Sequence, residues 1–366
     1  MALLKDLYSE SFYKKLTDAL QVVLPGFDAK SFTKEIYSGS FDTMELKQRM
    51  RHTTMVMHAF FPPLFSDASK VLVRLVKQLR ENEVGEDQLA FMFLPDFIEC
   101  YGLDDYEDGV EMLEFMTQFV SCEFAVRPFL IKYKDKMMAQ MLQWSQHESY
   151  KVRRFASEGS RPALPWAMAV PFLKKDPALV LPILENLKND PSEWVRRSVA
   201  NNLNDISKIK PEIVLELAGR WKGISKETDA IIKHGCRSLL KQGHADILLH
   251  YALESKHIEL DHFVISTAVV KIGDSLDFSF SVKNNGPVKQ LVRLEYAVYY
   301  KRLNGQVSKK VFKISERIFE PEESATINRK QSFRVITTRT FYPGTHRLSV
   351  ILNGKESILQ DFELIL

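Results

Sequence analysis

Two sets of polar residues in the middle of the chain have spacings that chemistry can use. Arg154, Glu158 and Arg161 fall at helical intervals, and Arg197, Asn201, Asp205 and Lys208 do so again at i, i+4, i+8 and i+11, so each set lines one face of a helix. Cations spaced this way suit a phosphate backbone, which they hold without reading its sequence. Arg and Glu four apart also pair on ordinary solvated helices for about 0.2–0.5 kcal/mol, and Arg154 with Glu158 fits that reading equally well. Asp205 differs: Asn201 stands four residues before it in place of a cation. A carboxylate without a local partner is a candidate for chemical work.

The elements that must position these residues show a repeat. Val152-Arg153-Arg154 recurs as Val195-Arg196-Arg197 after 43 residues, and a looser copy, Ile232-Lys233-His234, follows 37 later. Helical units of about 40 to 47 residues are the size of HEAT and armadillo repeats, which stack because one helix pair cannot bury its apolar face alone. The helix opening near Trp194 has Pro191-Ser192 as its start and Glu193 near its positive end, with Val195, Val199, Leu203 and Ile206 as an apolar stripe opposite the polar one. Stacking would align the polar stripes, making Arg153, Arg154, Arg161, Arg196, Arg197, Lys208 and Lys210 candidates for phosphate contacts. One arginine of each adjacent pair can instead line the repeat interface and cover apolar surface with its stem.

Residues 1–256 read as all-α, with short Pro or Gly breaks at Leu24-Pro25-Gly26 and Phe61-Pro62-Pro63. Met1 to Asp18 reads as an amphipathic helix, and the first 150 residues, which hold no clear copy of the repeat, as atypical or capping helices. After His257 the period changes to two: Leu276, Phe278, Phe280 and Val282 alternate with Asp277, Ser279, Ser281 and Lys283 before a turn at Asn284-Asn285-Gly286-Pro287. Further strands are expected around Leu291–Arg302, Lys309–Phe319, Ala325–Val335 and His346–Leu352. About seven short strands in roughly 110 residues indicate an immunoglobulin-like β-sandwich. The fold class is therefore multidomain α then β: a HEAT-like α-superhelix over 1–256, then a sandwich over 257–366.

Composition narrows the function. The 366 residues are 45% hydrophobic and 27% charged, as in an ordinary globular chain. The net charge of +3 conceals an asymmetry. Residues 1–150 hold 16 Lys and Arg against 23 Asp and Glu, net −7, whereas 151–241 hold 17 against 10, net +7. A basic block beside an acidic one suggests a phosphate-bearing partner for one region. Cys100, Cys122 and Cys236 are widely separated and form no C-x-x-C pair, which argues against a disulfide framework or cysteine-based zinc site and fits a reducing cytoplasm. No apolar run approaches the roughly 20 residues of a membrane span. The Asp104–Glu114 segment lacks the ligand positions of a calcium loop, and no H-E-x-x-H, G-x-S-x-G or G-x-x-x-x-G-K motif occurs. No metal or cofactor is expected.

Four stretches carry a resemblance to a known family: Cys122-Glu123-Phe124-Ala125-Val126-Arg127-Pro128-Phe129, Val152 to Pro162, Leu164-Pro165-Trp166, and Ser198-Val199-Ala200-Asn201-Asn202-Leu203-Asn204-Asp205. Together they resemble the AlkC branch of the AlkC and AlkD group of DNA alkylation repair glycosylases, some members of which carry a C-terminal immunoglobulin-like extension. The resemblance implies that Glu123, Glu158 and Asp205 are the active-site acids and that Trp166 packs beside the lesion nucleotide. It implies also that the substrates are duplex DNA bases such as 3-methyladenine, 3-methylcytosine and 1-methyladenine, attacked without rotation of the base into a pocket, unlike the general rule for glycosylases.

These residues suit that chemistry. Breaking an N-glycosidic bond leaves a sugar with oxocarbenium character, which carboxylates can stabilise while they orient or deprotonate water. A base alkylated on a ring nitrogen departs as a neutral molecule and needs little protonation. An indole beside it could add a cation–π attraction of about 0.5–2 kcal/mol, although Trp166 after Pro165 could equally be a packing residue. The rival reading is a non-enzymatic HEAT-repeat adaptor that binds DNA or an acidic protein, which fold alone does not exclude. A pure DNA binder has little reason to set three acids against a polyanion. A monomer without an obligate protein partner is expected, and the sandwich would serve either as a DNA clamp or as a structural cap.

Overall fold

The computed structural model describes residues 3–336 and 339–366. The N-terminal expectation needs one revision: a 3-10 turn, Leu4–Leu7, precedes a separate helix, Glu10–Val23, whose start is capped by Ser9 accepting from the Phe12 amide. Helices continue to Ala245–His250, and strands begin at Ile258. Among the described residues no helix is long and apolar enough to cross a membrane. The chain divides into two compact units, one of 1–213 with 221–235 and one of 214–220 with 236–366.

In the first unit the repeated motif marks three helices, Tyr150–Gly159, Glu193–Ile206 and Lys226–Gly235, each packed against the next. Val152, Phe155, Val195, Val199, Leu203, Ile231 and Ile232 are buried, so the apolar stripe of each helix faces its neighbours. Contact is close: a Cβ placed on Gly235 would lie 2.8 Å from Leu203 Cβ. The first arginine of each pair has the same task in both copies. Arg153 Nη1 donates to the carbonyls of His147 and Glu148, six and five residues back, and Arg196 Nη1 donates to those of Asp190 and Pro191 at the same offsets. The preceding turns match too, with His147 Nδ1 accepting from the Ser149 amide and Asp190 Oδ1 from the Ser192 amide. Arg153 also grips Asp190 with Nε at 2.6 Å and Nη2 at 3.1 Å, which ties one repeat to the next.

The second unit contains nine strands among the described residues: β1 Ile258–Ile265, β2 Val269–Lys271, β3 Ser275–Asn284, β4 Gln290–Lys301, β5 Val307–Phe319, β6 Ser324–Ser332, β7 Gly344–Leu352, β8 Lys355–Glu356 and β9 Gln360–Ile365. They form two sheets, β1-β3-β6 and β2-β9-β7-β4-β5, with β8 paired to β7. Leu276, Phe278, Phe280 and Val282 of β3 meet Val292, Leu294, Tyr296 and Val298 of β4 in one apolar core. The expected alternation of β3 is thus real, β4 to β7 stand where strands were expected, and β1, β2, β8 and β9 were not anticipated. β4 is buried on its other face as well, at Arg293, Glu295 and Ala297. Arg293 pairs with Glu295 and Glu316 at 2.6 Å each, with Glu295 Oε2 left buried without a hydrogen-bond partner. Helical residues close on this unit at the β7–β8 turn, where Asn353 Nδ2 donates to the Glu254 carbonyl and Gly243 lies against Gly354.

Gly354 has φ +78°, and a Cβ there would come within 2.5 Å of Leu248 and 3.1 Å of Gly243 Cα. Gly354→Val is therefore expected to destabilise this unit by about 2–4 kcal/mol through strain and overpacking, read as a lower calorimetric midpoint. An unchanged midpoint would mean that the approach relaxes freely.

Candidate active site

The two acids on the repeat helices do not stand alone. Glu158 and Asp205 are 7% and 2% exposed, and Arg161, 7% exposed, lies between them. Its Nη1 is 2.7 Å from Glu158 Oε1 and its Nε 2.8 Å from Asp205 Oδ2. The other oxygens are engaged as well: Glu158 Oε2 accepts from Ser198 Oγ at 2.6 Å, and Asp205 Oδ1 is 3.4 Å from Lys208 Nζ. The expectation that Asp205 lacks a partner is thereby corrected. Besides Lys208, its nearer cation sits 44 residues earlier and is supplied by stacking of one repeat on the next. Burial works against the charge on Arg161, but the bonds and charges of Asp205 and Glu158 outweigh it and hold the guanidinium above its ordinary pKa.

Glu123 is different. It lies in the turn before the helix Val126–Trp144, with the Arg154 guanidinium 3.7 Å away and one oxygen, Oε2, buried without a hydrogen-bond partner. Burial pushes its carboxyl up; Arg154 opposes this, and the charge of Glu158 adds to it. Arg154 donates to Ser121 Oγ at 2.9 Å and stands 5.7 Å from the ring centre of Trp194. Glu123, Arg154, Trp166 and Trp194 line a cavity of about 470 Å³ together with Lys47, Arg51, Asp96 and Glu99 and an apolar floor that includes Met50, Met92, Pro95 and Val120. This volume falls in the range of sites for small organic groups. Glu158 and Asp205 do not line it; they belong to the Arg161 cluster.

Two indoles stand exposed at this cavity, Trp166 at 66% and Trp194 at 62%, an arrangement that a flat aromatic or sugar surface could cover. Trp166 has φ +67°, a strained conformation for a bulky residue. Its loop is held from below by the fully buried Arg127, which donates to the carbonyls of Gly159, Arg161 and Met168. Burial, with help from Arg161, lowers the Arg127 pKa to about 10.

The remaining cations divide by what they touch. Arg153 and Arg196 direct their donors at backbone carbonyls and Asp190, and Arg161 is enclosed by the two acids. Arg153 thus spends Nε, Nη1 and Nη2 inside the protein and Arg161 its Nε and Nη1, whereas Arg196 is held through Nη1. Arg197 is exposed without a hydrogen-bond or ion-pair partner among the described residues. Lys208 and Lys210 make loose pairs with Asp205 and with Asp176 at 3.6 Å. Sequence reasoning missed Lys47, Arg51, Asp96, Glu99, Arg127 and Trp194. The first four lie in the acidic, non-repeating helices, where no spacing marks them, whereas Trp194 directly precedes a repeated motif and could have been found there. Asp96 is 3% exposed; its Oδ1 pairs with Arg51 at 2.8 Å and its Oδ2 is buried without a partner. No group of three or more His, Cys, Asp or Glu placed to hold a metal occurs among the described residues.

Arg161→Met would leave two buried carboxylates without the guanidinium they share. Breaking a buried ion pair from one side costs about 3–5 kcal/mol, so urea unfolding of the first unit should show a loss of that order. A loss below about 1 kcal/mol would mean that water reaches the cluster.

Comparison with known proteins agrees with this geometry. A family model described as "DNA alkylation repair enzyme" matches residues 49–222, and one described as "Uncharacterised protein YhaZ, C-terminal Ig-like domain" matches 259–366. The "Uncharacterized protein YhaZ" of Bacillus subtilis (strain 168) is 40% identical over 365 residues, covering 100% of both chains. Among solved structures, the alkylpurine DNA glycosylase AlkC of Pseudomonas fluorescens, bound to DNA containing an abasic site analog, superposes with a TM-score of 0.93 at 34% identity over 100% of both chains. A match of this extent carries both the helical repeats and the sandwich, and this chain belongs to the family of DNA alkylation repair enzymes, in the AlkC form with a C-terminal immunoglobulin-like domain.

Proposed function

We propose that this protein is a DNA glycosylase that hydrolyses the N-glycosidic bond of cationic alkylated bases in duplex DNA, with 3-methyladenine, 3-methylcytosine and 1-methyladenine as the substrate class. The observation that carries the proposal is Glu123 Oε2, buried without a hydrogen-bond partner and faced by Arg154 at 3.7 Å, in a cavity edged by two exposed indoles. The resemblance to an enzyme whose structure holds DNA with an abasic site analog supports it.

Glu123 faces the deoxyribose and orients or deprotonates the attacking water as positive charge develops on the sugar. Glu158 and Asp205 supply fixed negative potential through the Arg161 cluster, and Trp166 packs against the lesion nucleotide. Because the leaving base is neutral once expelled, no enclosed pocket with a general acid is required, and the base need not rotate fully out of the duplex. Residues 1–256 hold the catalytic machinery, and the sandwich over 257–366 assists DNA binding. The protein acts as a cytoplasmic monomer on chromosomal DNA, and Arg154, Arg197, Lys208 and Lys210 serve the phosphates.

Incubation with methylated duplex DNA should release 3-methyladenine or 3-methylcytosine above the spontaneous rate, and Asp205→Asn should slow release by about 10²-fold. Absence of release would favour a DNA-binding adaptor, while release indifferent to Asp205→Asn would remove that residue from the mechanism.

The pH dependence follows from Glu123. Its carboxyl is held above the ordinary value of 4.5, and the ionised form is the active one. Single-turnover excision should therefore decline as pH falls through that raised pKa, with an acid limb above the range of a free glutamate. A rate flat down to pH 4.5 would contradict the role.

The arginine pairs separate by salt dependence. Arg197→Met should reduce the slope of log affinity against log salt by about one, as loss of one phosphate contact does, whereas Arg153→Met should leave the slope unchanged and lower stability. The reverse pattern would exchange their roles.

A further inference from the structure

Trp166 raises a mechanical problem. Its indole is two-thirds exposed and its backbone has φ +67°, so packing of its own side chain does not hold it in place, and strain of this kind persists only where the surroundings impose it. Arg127 anchors the loop on either side, at Arg161 and Met168. The Trp166 peptide itself has one side-chain tie among the described residues: Lys47 Nζ donates to the Trp166 carbonyl. Lys47 belongs to the helix Leu46–Phe60, 119 residues away in sequence, and lines the same cavity. Its ammonium is also 5.2 Å from the ring centre of Phe124, the residue next to Glu123. It thus joins the wall formed by the acidic helices to both the indole and the Glu123 turn. Asp96 and Glu99 lie near enough for its charge to act on them, so it has anionic company within the wall.

We propose that Lys47 is a positioning residue: by bridging the cavity from its own helix to the Trp166 carbonyl and the Phe124 ring, it fixes the exposed indole and the Glu123 turn in the arrangement that excision requires. The inference rests on the glycosylase reading, but its mechanical half does not. Lysine is suited to the task because a long stem can reach the carbonyl while the ammonium keeps its attraction for the Phe124 face. A methionine keeps the stem and loses both interactions.

The test has an enzymatic and a spectroscopic arm. Of the four tryptophans, Trp144 and Trp221 are buried and Trp166 and Trp194 are exposed. A Trp194→Phe background therefore leaves Trp166 as the one indole open to acrylamide, and the anisotropy of the quenchable emission reports its mobility. Lys47→Met is expected to lower single-turnover base release at least tenfold in the natural sequence and to lower that anisotropy in the Trp194→Phe background. The salt slope for abasic-analogue DNA should not change, and Lys47→Arg should restore both rate and anisotropy. Release within twofold of the parent, or an unchanged anisotropy, would overturn the proposal. So would a salt slope reduced by about one, which would make Lys47 a phosphate contact. If the parent itself releases no base, the glycosylase reading fails on its own, and the anisotropy comparison still decides whether Lys47 holds the indole.

Discussion

The ion cluster in which Arg161 lies between Glu158 and Asp205 is the constraint from which the site follows. It joins the end of one repeat helix to the next, so it exists only when the repeats stack. Replacing a buried ion cluster by apolar side chains of similar size is often neutral or stabilising. Stability alone therefore does not account for charges at this place. The two acids share Arg161, and Lys208 stands 3.4 Å from Asp205, so two cations face two carboxylates in the cluster.

In the proposed mechanism, carboxylates beside a DNA-binding face oppose the phosphates that the surrounding cations attract. The arrangement makes physical sense if the charge is needed at one moment, when the sugar becomes positive and the base leaves neutral. Glu123 fits that requirement: it is half-buried, its Oε2 has no hydrogen-bond partner, and the Arg154 guanidinium 3.7 Å from that oxygen offsets its desolvation only in part. The two outer indoles can then cover the reacting nucleotide from the solvent side, provided the strained turn at Trp166 is held still.

The repeat was legible in the sequence because stacking demands the same apolar offsets in each copy, and Val152 and Val195 duly occupy matching buried positions. The strands were legible because β3 has a clean period of two, whereas β2 and β8, at three and two residues, are too short to show one. What the arginine pairs do was not legible. Arg153 and Arg154 are adjacent and chemically identical, and only the turn at His147 and Glu148 explains why the first is tied down. Asp205 looked unpartnered because the residue four before it is Asn201; its partners are Lys208, three residues on, and Arg161, 44 residues earlier, which local spacing cannot register. The Lys47, Arg51, Asp96 and Glu99 wall was missed because those residues come together across two helices, Leu46–Phe60 and Phe93–Tyr101, that share no motif.

The most direct measurement compares excision with binding in one conservative change, Glu123→Gln. If this face meets phosphates as proposed, removing a negative charge from it should leave affinity for abasic-analogue duplex DNA unchanged or tighter, while single-turnover release of the methylated base falls by orders of magnitude. Opposite movement of the two quantities is the expected result. If excision survives at the parental rate, or if binding and excision weaken in parallel, Glu123 holds DNA or the fold and does not serve the sugar, which would contradict the proposed mechanism at its centre.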